Sequence, residues 1–244
     1  MRTSNPALNA KAFERFGPAA AVGEGMTVEG TVNRTAFLLL LLVATATWTW
    51  SRTFAGVPAG GFMLGGLLGG FVVALVTIFK PAWSPVTAPI YAALEGLALG
   101  GISALFQASY PGIVIQAVAL TFGTLFALLL AYRSGLIPVT ENFRLGVVAA
   151  TGGIALFYLV SIVLGFFGIR IPLIHESGWL GIGFSLFVVV IASLNLVLDF
   201  DFIEHGAEHG APKFMEWYAA FGLMVTLIWL YLEILRLLSK LRSR

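Results

Sequence analysis

Seven apolar runs, each near the length that crosses a bilayer, occupy most of this 244-residue chain. A membrane-spanning helix needs roughly 17–25 predominantly apolar residues. The runs extend from Thr35 to Ser51, Gly60 to Phe79, Pro85 to Gln107, Ile113 to Tyr132, Leu145 to Phe167, Trp179 to Ile203 and Trp217 to Leu238. None alternates with a period of two, and most are stopped by glycine, proline or charge, which predicts helices and not the short strands of a barrel. Lys80–Pro81 ends the second run, Tyr110–Pro111–Gly112 the third, and Arg133 to Pro138 the fourth. The first run ends in Trp48 and Trp50, side chains that favour the membrane interface. The second opens on GGFMLGGLLGG, Gly60 to Gly70, where missing side chains let neighbouring helices approach closely. The expected fold is therefore all-α: a polytopic membrane domain of seven transmembrane helices over residues 35–238. A polar, mobile N-terminal tail, 1–34, precedes it and a basic C-terminal tail, 239–244, follows. The tail has no apolar core of the signal-peptide kind, so the first run is expected to act as an uncleaved anchor.

Composition narrows the class. The chain is 59% hydrophobic and only 11% charged, against about 25% charged in soluble domains. So few charges cannot cover a water-exposed surface, and the expected partner is the lipid bilayer of a cell membrane, inner or plasma. The absence of cysteine excludes disulfides, thiolate metal sites and thiol nucleophiles. The net charge of +2 forms no basic stripe, so nucleic acid is not an expected partner. No phosphate-binding glycine loop, nucleophile elbow or paired nucleophile and base is present, and the reading is non-enzymatic, with no cofactor. With seven spans, the loops on the N-terminal side carry Lys80, Arg133, Arg144 and Lys213, and the opposite loops carry Arg52 and Arg170. That asymmetry predicts a cytoplasmic N-terminus. The C-terminal Arg236, Lys240, Arg242 and Arg244 pull the other way.

Against this apolar background, three acids stand out: Glu95, Asp199 and Glu233. A carboxylate at the centre of a span costs about 2.5–3.5 kcal/mol even on insertion scales, so such a group marks a candidate pathway or proton site. Glu95 lies about ten residues into the third run, near mid-depth. It reads either as a helix-linking carboxyl or as part of a gate. Asp199 and Asp201 are two apart and project roughly 200° from each other. One is expected to face the core, and Asp201, with Glu204, to sit at the interface. Asn195 shares a face with Asp199 at i−4. Glu233 has Arg236 at i+3 and reads either as a local ion pair or as a partner of Asp199 across helices. Two close carboxyls cannot both ionise cheaply, and such a pair could share a proton or bind a hard cation such as Ca2+ through oxygen. Nominal helix ends place the two roughly 20 Å apart in depth. They meet only if the sixth helix continues past Ile203 or the seventh starts after Trp217. His205, Glu208 and His209 form H-x-x-E-H, a spacing used by some zinc enzymes. The surrounding HGAEHGAP, with two glycines and a proline, predicts a loop instead. His175 and Glu176 read as solvated loop residues.

LEGLALGGISALF in the third run, NLVLDFDFIE at the end of the sixth and WLYLEILRLL in the seventh resemble the Bax inhibitor-1, or transmembrane Bax inhibitor motif, family over roughly Phe37 to Leu238. The opening SNPALN and GMTVEGTVNRTAF resemble its bacterial Bax inhibitor-1-like branch. The resemblance implies six helices wrapped around a central seventh and a pH-sensitive Ca2+ leak sensed by two facing acids. Asp199 matches the first family aspartate. Glu233 matches the second, in a pattern like L-Y-L-D-I, with Glu in place of Asp. Glu95 matches the glutamate before glycine in an early helix. The expected function is passive passage of a cation, Ca2+ first, with Asp199, Glu233 and Glu95 as pathway and sensor, supported by Asn195, Asp201 and Arg236. The competing expectation is a non-conducting bundle that regulates another membrane protein, such as a protease.

Overall fold

The computed structural model of the chain describes residues 25–168 and 178–243. The expected mobile tail, over 1–24, together with Arg170, His175, Glu176 and Arg244, lies outside the described residues. Seven helices are long and apolar enough to cross a membrane: α1 Val28–Phe54, α2 Gly60–Phe79, α3 Ser84–Ser109, α4 Ile113–Arg133, α5 Glu141–Phe166, α6 Trp179–Glu208 and α7 Met215–Arg242. A short 3-10 turn, Pro81–Trp83, leads into α3. Among the described residues there is no β-strand, only an isolated bridge between Gly25 and Pro212.

The helix starts follow local chemistry. Thr27 is extended, and its hydroxyl accepts from the Gly30 N–H at 2.9 Å, capping α1 seven residues before the expected Thr35. Thr140 caps α5 in the same way through the Phe143 N–H. Inside the spans the Thr35, Thr45, Thr77 and Thr121 hydroxyls donate back to carbonyls one turn earlier, so their polarity is satisfied without water. Leu40, Leu64, Leu68, Phe71, Leu130, Leu156 and Ile162 are exposed. Such a surface suits hydrocarbon as solvent.

The chain divides into two compact units. The first comprises residues 25–111 and Asp201–Val225. Within it α3 packs on α1 and α2 with almost no side chain between. A Cβ on Gly96 would overlap Thr45 and the Leu42 carbonyl; one on Gly100 would overlap the Ala46 carbonyl. On the other side, a Cβ on Gly66 would press on the Leu94 carbonyl at 2.5 Å, and one on Gly101 on Met63 at 2.7 Å. This is small-residue packing, in which dispersion between close backbones replaces the hydrophobic drive that lipid removes. The second unit comprises residues 112–168, 178–200 and 226–243. Its core gathers Ile154 of α5 and Val188 and Ile191 of α6, with Tyr158, Phe184 and Trp229 against them. Of the seven helices, α7 has the largest buried share.

Candidate functional site

Four of the acids are buried in helices. Glu95 of α3 is 9% exposed, and its carboxylate lies against α2, where a Cβ on Gly70 would come within 2.6 Å of Oε1. The glycine at that position makes the room the carboxylate occupies. Tyr91, one turn earlier, is also buried and meets Phe221 edge-on at 4.9 Å.

Asp199 of α6 is fully buried, at 0% exposure. Asn195, on the same face, donates through Nδ2 to Thr151 Oγ1 of α5 and to the Ile191 carbonyl, both at 2.8 Å. Its amide therefore fastens α6 to α5 one turn from Asp199. The expectation that only one of Asp199 and Asp201 faces the core is corrected: Asp201 is 7% exposed, and both aspartates are buried. The predicted loop after Ile203 is helical through Glu208, so Asp201 lies well inside α6 and not at its end. Glu204 alone of this group is exposed. Asp201 Oδ1 lies 3.4 Å from His205 Nδ1.

Glu233 of α7 is 2% exposed and has two partners. The i+3 ion pair forms: Arg236 donates to Oε1 at 3.0 Å and to Oε2 at 3.1 Å. The second partner was not legible in the sequence. Tyr158 of α5 donates its hydroxyl to Glu233 Oε1 at 3.0 Å and accepts from Arg236 at 2.7 Å, with the guanidinium 5.3 Å from its ring centroid. Carboxylate, phenol and guanidinium form a closed triad between α5 and α7.

The extension of α6 shortens the nominal depth difference between Asp199 and Glu233. With α6 ending at Glu208 and α7 starting at Met215, Asp199 and Glu233 lie about 12 and 21 residues from the middle of the turn, so the offset falls from roughly 20 Å to roughly 13 Å.

The sequence reading missed a fifth acid. Glu216, the second residue of α7, is fully buried. Thr27 donates to its Oε1 through N–H at 3.0 Å and Oγ1 at 2.8 Å, Lys213 donates at 2.8 Å, and Arg34 lies 3.5 Å from Oε2. Arg34 also sits 5.2 Å over the ring of Trp217. Gly30 of α1 leaves no space for a side chain, since a Cβ there would overlap this carboxylate. The Lys213-to-Glu216 spacing hinted at an ion pair; nothing in the sequence pointed to Thr27 or Arg34.

The basic end of α7 is also occupied. Lys240 is buried and donates to the Gly181 carbonyl at 3.0 Å, and Arg242 donates to Gln116 at 2.8 Å. These charges are drawn into the protein's own contacts.

A family model described as Bax inhibitor 1 like matches residues 5–243, nearly the whole chain. The chain belongs to the Bax inhibitor 1 like family. Neither a curated protein nor a solved structure matches in the corresponding comparisons. Membership in the Bax inhibitor 1 like family agrees with the seven apolar helices and makes this a multi-pass membrane protein.

Proposed function

We propose that this protein passes cations, Ca2+ foremost, passively across its membrane under pH control, in a bundle of six helices around α7 with the N-terminus on the cytoplasmic side. The observation that carries the reading is the burial of Asp199 and Glu233 on membrane-spanning helices of one unit, at 0% and 2% exposure. Intramembrane carboxylates are costly and mark ion or proton routes. Their roles differ in this reading. Asp199 is the negative charge that attracts a cation. Glu233 is the switch, because protonation removes the charge that holds Arg236 and Tyr158. Arg236, 36% exposed at its side chain, then has a route outward by snorkelling. Glu95, in the other unit, is an accessory whose carboxylate wedges α2 from α3. The cytoplasmic assignment gains from the internal contacts of Lys240 and Arg242, which oppose it less as anchored groups than as a free basic tail.

Ca2+ flux into proteoliposomes at acidic and neutral pH tests the proposal, with Asp199→Asn and Glu233→Gln beside the parent. Expected are a pH-dependent flux in the parent, a reduced flux in Asp199→Asn and a flattened pH response in Glu233→Gln. A silent parent, or three identical traces, would sink the reading. One observation favours a second role, as a binding partner of another membrane protein. At Gly61 and Gly65, four apart on α2, an added Cβ meets nothing within 4 Å, and paired small residues suit helix association. A stable companion in native-membrane purification, lost in Gly61→Leu, would support that role over a simple leak.

A further inference from the structure

The H-x-x-E-H motif has metal-ligand spacing, and the leak leaves it unused. Helical spacing of the two histidines is the first requirement for a site: α6 covers His205 to Glu208, and the His209 N–H, just past its end, still donates to the His205 carbonyl at 3.0 Å. Gly206 is carried inside the helix, and Gly210, at φ +62°, ends it. The Ala211 N–H donates to the Gly206 carbonyl at 3.0 Å and the Gly210 N–H to the Ala207 carbonyl at 3.2 Å. This is the paired closure of a helix on a left-handed glycine, and Pro212 follows as expected. The residues that predicted a loop are therefore the terminator of the helix.

His205 and His209 consequently stand one turn apart on one face, with rings 12° from parallel and centroids 6.2 Å apart. His205 Nδ1 is 2.8 Å from the Asp201 carbonyl, and His209 Nδ1 is 2.7 Å from the His205 carbonyl. A carbonyl only accepts, so each Nδ1 carries a proton. In the neutral ring the lone pair then belongs to Nε2. A backbone carbonyl behind Nδ1 is the usual support of a metal-binding imidazole, fixing its tautomer and raising its basicity. Asp201 Oδ1, 3.4 Å from His205 Nδ1, adds to that effect. Glu204, Glu208 and His209 are exposed and His205 is half-buried, so a solvated ion can reach the face. The carboxylates and the negative end of the helix dipole favour a cation there. With metal–nitrogen bonds of 2.0–2.1 Å, two imidazoles on one tetrahedral ion have centroids roughly 5 Å apart. Stacked rings cannot both aim an in-plane lone pair at one ion, so the exposed His209 ring must turn about its side-chain torsions, giving up its carbonyl bond, while His205 keeps its own. Among the described residues no three His, Cys, Asp or Glu side chains form a ready metal cage. The site is a two-imidazole chelate completed by water.

We infer that the C-terminal turn of α6 binds one borderline divalent transition metal ion, of the Zn2+, Ni2+ and Cu2+ class, through His205 and His209. Imidazole suits these ions, whereas Ca2+ takes oxygen ligands, so the site is separate from the leak and stands or falls without it. Untagged full-length protein in detergent is titrated with Zn2+ by calorimetry, and with Ca2+ as the contrasting ion. Expected is one Zn2+ per chain with no matching Ca2+ heat. His205→Gln and His209→Gln should each weaken Zn2+ binding by roughly tenfold or more, and His175→Gln should leave it unchanged. Metal-free unfolding midpoints equal to the parent's show that the variants are folded. No Zn2+ heat from folded parent protein overturns the inference, as does equal affinity in either α6 variant or loss of binding in His175→Gln.

Discussion

Helix α7 carries two buried glutamates that look alike on paper and are held differently. Each has a basic residue three positions away, Lys213 for Glu216 and Arg236 for Glu233, and each meets a hydroxyl from another helix or its cap. Glu216 sits at the start of its helix with donors from Thr27, Lys213 and, at longer range, Arg34. Glu233 sits well inside α7 and is hydrogen-bonded by Tyr158 and Arg236. The number of donors sets how much a carboxylate loses on protonation. Both carboxylates accept three hydrogen bonds, but Glu216 ties the start of α7 to Thr27 and, through Arg34, to α1, whereas Glu233 ties α7 to Tyr158 of α5.

The largest expected loss is at Glu216. Glu216→Ala strands the Thr27 N–H and hydroxyl and leaves two cations without their anion. Since Arg34 and Lys213 reach solvent, the cost should be about 2–3 kcal/mol, read from unfolding in detergent. Gly30→Val attacks the same place from α1 by driving a side chain into the carboxylate, and about 1–3 kcal/mol should follow from overpacking. Glu233→Ala is expected to cost less, about 1 kcal/mol, because Arg236 can turn to the interface. A loss equal to that of Glu216→Ala would abolish the distinction. Smallest is Tyr158→Phe, at about 0.6 kcal/mol, the mean for a hydrogen bond between membrane helices. It sharpens the contrast if it alters the pH response of flux while leaving stability nearly unchanged.

The seven spans were legible because membrane helices announce themselves in one dimension: long apolar runs with polar stops. Gly60–Phe79 was read to the residue. The start of α6 at Trp179 was also read to the residue, but its C-terminal end was not, because Gly206 and Gly210 have the same letter and opposite effects. The first is carried inside the helix, and only the second adopts the left-handed conformation that closes it. That error put His205 in a loop, whereas it lies in the last turn of α6. The acids themselves were visible by their rarity, but their partners were not. Tyr158 and Glu233 are 75 positions apart, and nothing periodic links them. Glu216 escaped notice because an acid beside the start of a span resembles an ordinary interfacial charge.

The Thr27–Glu216 contact also sets an order of events in synthesis. Its two ends are 189 residues apart, the first at the head of the first span and the second at the head of the last. At about 5–20 residues per second a ribosome takes roughly 10–40 s to make that stretch. Throughout this interval the start of α1 has its cap but not its anion, and the first unit cannot close. A chain truncated before α7 would keep that unit permanently open, presenting Arg34 and the uncovered face of Gly30 to whatever surveys unassembled membrane proteins.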